Sequence, residues 1–349
     1  MKTINMLSTA DKVKGQGVGS AYLEQVSLVS EGLKSEYQVV VNKHVKSEIA
    51  HYHTIDLKHY FHSMFGNKNR ANVGYVHFLP ETVDGSLKIP GGAKDIFYKY
   101  IIAFYKKMDY LVTVNPYFIE RLVAHGIERS KIYYIPNYVS TEKFHPMGKN
   151  EVNKIRDKYE VDRDKFVVLG VGQVQTRKGV MDFVEIAKKM PNVQFVWAGG
   201  FSFGKITDGY EELKKIVDNP PENVKFIGII DRSEMNNIYN MSDLLFMPSY
   251  NELFPMAILE TMNCAKPMLL RDLDIYKDIL KDYYLRGNDN EEFIKIIESI
   301  MDKKEEYEVA RSLSEKGARF YSRDYVLEMW KEFYDMVYDE KVVNNYEKQ

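Results

Sequence analysis

Cysteine is nearly missing: Cys264 stands alone among 349 residues. No disulfide can form within the chain, and such usage fits a reducing compartment. Long apolar runs are missing as well. No stretch approaches the roughly 20 apolar residues that a membrane-spanning helix needs. The opening Met1-Lys2-Thr3-Ile4-Asn5 has no apolar core of the kind found in signal peptides. A cytoplasmic protein is therefore expected, touching membranes only at their surface. Low-complexity tracts and short-period repeats are lacking too, and the composition is that of an ordinary globular chain.

What is present is enough chain for two cores. Apolar, β-branched runs recur between helical patterns. The first series is Thr3–Leu7, Tyr37–Val41, Val73–Phe78, Tyr110–Val114 and Lys131–Ile135. After a charged stretch from Lys149 to Lys165 a second series follows: Phe166–Val171, Gln194–Ala198, Val224–Ile227, Leu244–Met247 and Pro267–Leu270. Alternation of strand and helix implies parallel sheets covered on both faces. The expected fold class is α/β, with two Rossmann-like doubly wound domains facing a central cleft, residues 1–160 and 161–324. Ligands of such sheets bind beyond the carboxyl ends of the strands, so the informative residues should follow strands.

Charge is uneven along the chain. Residues 1–160 carry 22 Lys and Arg against 16 Asp and Glu, and the remainder carries 26 against 34. A basic first half suits contact with an anionic surface. A chance imbalance of solvated faces explains the same numbers.

Two segments carry chemistry. Ser249-Tyr250-Asn251-Glu252-Leu253-Phe254-Pro255-Met256-Ala257-Ile258-Leu259-Glu260 follows a strand and opens a helix. A helix N-terminus offers unpaired N–H groups to phosphate, and carboxylates suit vicinal diols. Acidic residues also favour helix starts for no reason but the dipole. Gly170-Val171-Gly172-Gln173-Val174-Gln175-Thr176-Arg177-Lys178-Gly179 follows the first strand of the second series. Glycine lets backbone approach a ligand, and Arg177 with Lys178 can stabilise a departing diphosphate. Alone, that string is equally a surface turn. Asp272-Leu273-Asp274 reads as a helix start, not as a metal motif.

These residues resemble the retaining GT-B glycosyltransferases. The matching pieces are Glu252 and Glu260 eight residues apart, and the turn Gly172…Arg177-Lys178-Gly179. Asn115-Pro116…Gly126…Ile135-Pro136-Asn137, then Phe144-His145-Pro146, resembles the family's domain-closing stretch, and Phe226-Ile227-Gly228 the strand before its base-binding loop. The resemblance implies roles. His77 and Glu252 contact the donor sugar, and Gly17, in Lys14-Gly15-Gln16-Gly17, lets the first loop approach the reacting centre. Arg177 and Lys178 hold the diphosphate, Ile229 or its neighbour the base, and Glu260 the ribose. His77, Arg177, Lys178 and Glu252 form the expected catalytic set. Gly172, Gln173, Phe254, Met256 and Ala257 complete the donor site. It also implies that the last helix, within 325–349, returns to the first domain, and that no metal or other cofactor is required. Two departures stand out. Gln173 replaces the usual arginine, and Pro255 replaces a glycine, removing one N–H and leaving Met256 or Ala257 to meet phosphate.

The acceptor is approached through Lys94-Asp95-Ile96-Phe97-Tyr98-Lys99-Tyr100-Ile101-Ile102-Ala103-Phe104-Tyr105-Lys106-Lys107. Aromatics mixed with lysines suit a membrane interface. An interior helix with snorkelling lysines has the same composition. Lys94, Phe97, Lys99, Tyr100, Phe104, Lys106 and Lys107 are the expected membrane and acceptor contacts. Further strings, among them His51-Tyr52-His53-Thr54-Ile55-Asp56 and Gly74-Tyr75-Val76-His77-Phe78-Leu79-Pro80, resemble bacterial glycolipid synthases. Those enzymes add a second hexose to monoglucosyl-diacylglycerol. The resemblance implies UDP-galactose as donor, a dihexosyl-diacylglycerol product serving as membrane glycolipid or lipoteichoic acid anchor, work at the inner face of an anionic membrane, and no nucleic-acid partner. UDP-glucose as donor, or epimerisation of a nucleotide sugar on the same scaffold, are the alternatives.

Overall fold

The computed structural model describes residues 1–10, 17–65, 69–80 and 91–343. Among them, strands β1 (Lys2–Leu7), β2 (Tyr37–Val41), β3 (Ile49–Tyr52), β4 (Ala71–Val76), β5 (Tyr110–Thr113) and β6 (Ile132–Tyr134) form one sheet. Its order is β2-β1-β3-β4-β5-β6, and every described pairing is parallel. A second sheet is built from β7 (Val167–Val171), β8 (Gln194–Ala198), β9 (Val224–Gly228), β10 (Leu244–Met247), β11 (Met268–Arg271) and β12 (Leu285–Gly287). Its order is β12-β11-β10-β7-β8-β9, again parallel throughout. In each sheet the chain leaves its first strand to one side and later returns to the other. The switch points fall between β1 and β3 and between β7 and β10, the crevices where doubly wound sheets bind ligands.

Ten of these strands lie on the apolar runs read from the sequence, with no end shifted by more than two residues. β3 and β12 were not expected. β3 is four residues long and wholly buried, and it carries a histidine, so no alternation of apolar and polar residues marks it. β12, Leu285-Arg286-Gly287, is only three residues long.

The helix just before the expected division at residue 160 is attached to the second half. Helix Lys149–Lys158 packs on helix Met235–Met241 of the second half. Arg156 of the first helix donates to the Met241 carbonyl at 2.8 Å and to Asp243 at 2.8 Å. Asp243 also accepts from the backbone of Val167 at the start of β7, so this helix is locked to the second sheet.

Helix Arg323–Val337 crosses to the first sheet. Its apolar residues recur with helical spacing, and Val326, Trp330, Phe333, Tyr334 and Val337 are all buried. Each burial contributes on the order of 1.5–3 kcal/mol. Trp330 stacks on Tyr75 of β4 at 5.8 Å between centroids. The Tyr334 hydroxyl lies 2.8 Å from Nδ1 of His51 in β3, and Tyr37 of β2 donates to Asp335 at 2.6 Å. Helix Lys304–Phe320 packs on the second half and helix Arg323–Val337 on the first, so the end of the chain serves both domains. No described helix is long and apolar enough to cross a membrane.

Candidate active site

A cleft of about 640 Å³ opens between the carboxyl ends of the two sheets. Its floor and walls are loops that follow strands: Ala10 after β1, His77 after β4, Gly172 after β7, Gly199 after β8, Ile229 after β9 and Glu252 after β10. Both switch points feed this one space.

The second-half wall is held by charge. Thr176–Lys178 is a single 3-10 turn that ends at Gly179, whose φ of +68° is left-handed. A Cβ there would stand 2.4 Å from the Pro248 carbonyl, so only glycine lets the turn sit against the loop after β10. The Arg177 carbonyl accepts from the Tyr250 N–H at 2.8 Å, and the Arg177 guanidinium donates to the Asn251 carbonyl at 2.9 Å. Lys178 and Glu252, both buried, form a direct ion pair. Arg177 stands 3.7 Å from the same carboxylate. Burial alone would raise the Glu252 carboxyl, but Lys178 and Arg177 outweigh it and hold it below its ordinary value. Burial pushes the Lys178 ammonium down, and Glu252 pulls it partly back. The pair is ionic, and its two charges satisfy one another.

Glu260 lies one turn into helix Met256–Asn263 and is also buried. Arg232 donates to it at 2.5 Å and the Tyr239 hydroxyl at 2.5 Å. Arg232 reaches further, to Glu24 on helix Gly17–Gly32 of the first half, at 2.9 Å. Glu24 is 1% exposed and also accepts from the Ser140 N–H and from Lys143. Arg232 is therefore a bridge across the cleft. Burial works against its charge, but the two glutamates more than compensate and raise its pKa.

Two asparagines of the first half position the glutamate loop. The Asn115 amide donates to the carbonyls of Leu253 at 2.9 Å and Ile275 at 2.8 Å, and Asn137 donates to the Phe254 carbonyl at 3.0 Å. Both asparagines sit in the stretch read as domain-closing, and their amides join the two halves beside the Arg232 bridge.

The first-half wall is different in kind. His77 reaches the cleft, while its Nε2 is enclosed and has no protein partner. Its ring lies against Tyr75 at 4.4 Å and His53 at 5.9 Å. Burial lowers its pKa to about 3, so the imidazole is neutral. His51 is lowered to about 3 for the same reason, and His53 lies well below the ordinary value, pushed down by burial and then by His51 and His77.

The expected donor residues thus converge. Gly17, His77, Gly172, Gln173, Arg177, Lys178, Ile229, Glu252, Phe254, Met256, Ala257 and Glu260 all line the same cleft. Lys14, Gly15 and Gln16 lie outside the described residues. Two placements refine the expectation. The Phe254 ring packs on Tyr321 at 5.2 Å, so this residue supports the wall more than it faces a ligand. Pro255 is the N-cap of helix Met256–Asn263, where a missing N–H costs the helix nothing. Among the expected acceptor residues, only Phe97 reaches the cleft. Phe104 is 1% exposed and belongs to the core, which corrects its expected membrane contact. Tyr100 is spent on the fold too, since its hydroxyl donates to the Ile55 carbonyl and its ring meets Tyr60. Phe104 and Tyr105 face inward, Phe104 against Tyr52 of β3 and Tyr105 donating to the Phe78 carbonyl at 2.9 Å. Among the described residues no cluster of three or more His, Cys, Asp or Glu could hold a metal ion.

Sequence reasoning missed Arg232, Tyr239 and Glu24. Arg232 had a findable signal, since Asp231-Arg232 follows β9 at its carboxyl end. Glu24 had none, being one acid on an ordinary helix.

Comparison with known proteins gives a consistent picture. Residues 151–319 match the family described as Glycosyl transferases group 1. The chain is 46% identical to an alpha-galactosylglucosyldiacylglycerol synthase of Streptococcus pneumoniae, over 95% of this chain and 89% of that one. It is 30% identical to a processive diacylglycerol alpha-glucosyltransferase of Acholeplasma laidlawii, over 59% of this chain and 61% of that one. Among solved structures it superposes on Anabaena Alr3699/HepE in complex with UDP and glucose with a TM-score of 0.75. That match covers 96% of this chain and 100% of the other, at 13% identity.

Proposed function

Because this chain belongs to the glycosyl transferases group 1 family and has the GT-B fold, we propose that it moves a hexose from a UDP-sugar to monoglucosyl-diacylglycerol, with galactose as the sugar and retention at the anomeric carbon. The product is a dihexosyl-diacylglycerol. The observation that carries the reading is one cleft in which Arg177, Lys178 and Glu252 of the second half face His77 of the first. The 46% identity along almost the whole chain supports the glycolipid acceptor.

The geometry supports a simple division of labour. An entering diphosphate competes with Glu252 for Lys178 and takes up the charge of Arg177. The carboxylate so released accepts hydrogen bonds from sugar hydroxyls. Neutral His77, with Nε2 unpartnered, orients the hexose from the other wall without repelling the cations opposite. Glu260, held by Arg232 and Tyr239, takes the ribose. The acceptor hydroxyl then approaches the face from which UDP departs, and a phosphate oxygen of the leaving group takes its proton. The bond to UDP breaks as the new glycosidic bond forms. Charge growing on the diphosphate meets preorganised cations, where electrostatic stabilisation is most effective. In this reading side-chain cations do the work that a metal does elsewhere, so a chelator leaves the rate unchanged.

The protein acts at the inner face of the cell membrane as a peripheral enzyme. The test offers UDP-galactose and UDP-glucose separately with monoglucosyl-diacylglycerol in mixed micelles and identifies the product lipid. A galactosylglucosyl lipid from UDP-galactose is expected, with the α-configuration kept. Absence of any dihexosyl lipid overturns the acceptor; conversion of UDP-sugar without acceptor reveals an epimerase. Glucose as the transferred sugar is the second reading, favoured by the diacylglycerol glucosyltransferase among the relatives.

A further inference from the structure

Helix Leu57–Met64 presents an unusual surface for a water-facing element. Leu57 is 63% exposed, Phe61 54%, Met64 47% and the adjoining Phe65 84%. Positions 57, 61, 64 and 65 share one helical stripe. The opposite face buries His59 and Ser63 and sets Tyr60 against Tyr100 and Phe104. Large apolar residues gathered on one outward stripe mark an interaction site and not a chance exposure.

The neighbouring helix Gly91–Lys106 extends this surface. Its aromatics are turned inward, yet Ile96 is 72% exposed. Lys58, Lys99, Lys106 and Lys107 are exposed on these two segments, against the single exposed acid Asp95. The second helix also borders the cleft, and the first begins close to it. Asp56, just before Leu57, accepts from Thr9 and Thr54 at 2.6 Å each, beside the cleft residue Ala10. Phe97 of the second helix lines the cleft itself.

We infer that the stripe Leu57, Phe61, Met64 and Phe65 inserts into the acyl boundary of an anionic bilayer, with the lysines of both helices on the headgroups. The occupant is lipid because apolar insertion and charge of one sign occur together. A protein partner of matching shape would have to supply a surface both apolar and acidic, whereas an anionic membrane supplies both by its nature. Seated this way, the cleft mouth opens onto the membrane. An acceptor sugar on a lipid headgroup then reaches His77 without leaving the bilayer. The inference rests on the lipid-acceptor reading for its purpose, but the membrane contact is measured apart from it.

The test sediments the full chain with phosphatidylcholine vesicles and with vesicles containing phosphatidylglycerol. Tight binding to the second and weak binding to the first are expected. Phe61→Ser with Phe65→Ser lowers binding to the anionic vesicles by at least about tenfold, while UDP affinity and far-ultraviolet circular dichroism stay those of the parent. Lys99→Glu with Lys107→Glu removes the preference for anionic vesicles. Unchanged sedimentation of the phenylalanine variant overturns the inference. So does a parent dimer in gel filtration that the same variant converts to monomer, since the stripe would then cover a second copy. If vesicles bind as expected and no dihexosyl lipid forms, the acceptor reading fails while the membrane face stands.

Discussion

The two walls of the cleft solve opposite electrostatic problems. The second-half wall is built from buried ions, Lys178 with Glu252 and Arg232 with Glu260. The first-half wall places His77 in a cluster with His53 and Tyr75, and burial keeps those imidazoles neutral. The half that supplies the cationic wall is the one with more acids than bases overall. Net charge along the chain therefore says little about the field at a site, which a few desolvated groups control. Part of the excess of base in the first half lies on the outward segments, where Lys58, Lys99, Lys106 and Lys107 are exposed and none lines the cleft.

Breaking the charged wall should have the largest effect. Lys178→Ala or Glu252→Ala lowers transfer by at least about a hundredfold. Each change also strands a buried charge, and such losses cost roughly 3–5 kcal/mol of stability. Pairing Lys178→Met with Glu252→Gln restores the urea midpoint but not the rate. A double variant with normal turnover would show that these charges serve the fold alone.

The bridge between the walls comes next. Arg232→Gln weakens UDP binding about tenfold, because Glu260 loses its charged partner. Glu24→Gln leaves UDP binding within about threefold of the parent and lowers kcat instead, since it loosens only the link across the cleft. Isothermal titration beside steady-state kinetics separates the two, and equal effects on both quantities would refute the bridge.

The neutral wall yields the mildest effect. His51 and His77 have folded pKa values of about 3, against about 6.5 when unfolded. The unfolded chain therefore binds more protons below about 6.5, and stability falls as pH drops from there towards 3. Above that window these groups contribute no pH dependence. Between pH 7 and pH 5 the melting temperature should fall, and His51→Phe should flatten that slope. An unchanged slope would mean that the histidines are wetter than their packing indicates.

Much of the charged wall was legible beforehand. Gly172, Arg177, Lys178 and Gly179 form one strand–turn–helix, and Glu252 to Glu260 another. Each is a local sequence whose loop must follow a strand, and parallel sheets bring such loops to one edge. The asparagines at 115 and 137 were visible as part of a stretch, though not as donors to the Leu253 and Phe254 carbonyls. The short strand β3 escaped notice, and with it the ring contacts of His53 with His51 and His77. The segment from Lys94 to Lys107 was read as aromatics mixed with lysines, which suits a membrane interface and an interior helix alike, and its composition could not tell which face was covered. Packing turned Phe104 and Tyr105 inward and left Ile96 outside.

By itself, then, the sequence determined a pair of doubly wound domains and the loop residues that line the cleft's charged wall, since strand periodicity and turn chemistry act over a few residues. Only the tertiary structure decided that Arg232 meets Glu24 across 208 positions of chain, or that Leu57, Phe61, Met64 and Phe65 remain uncovered. Contacts of that separation are chosen by how two finished domains meet and by which faces their cores have already claimed. No local preference encodes either.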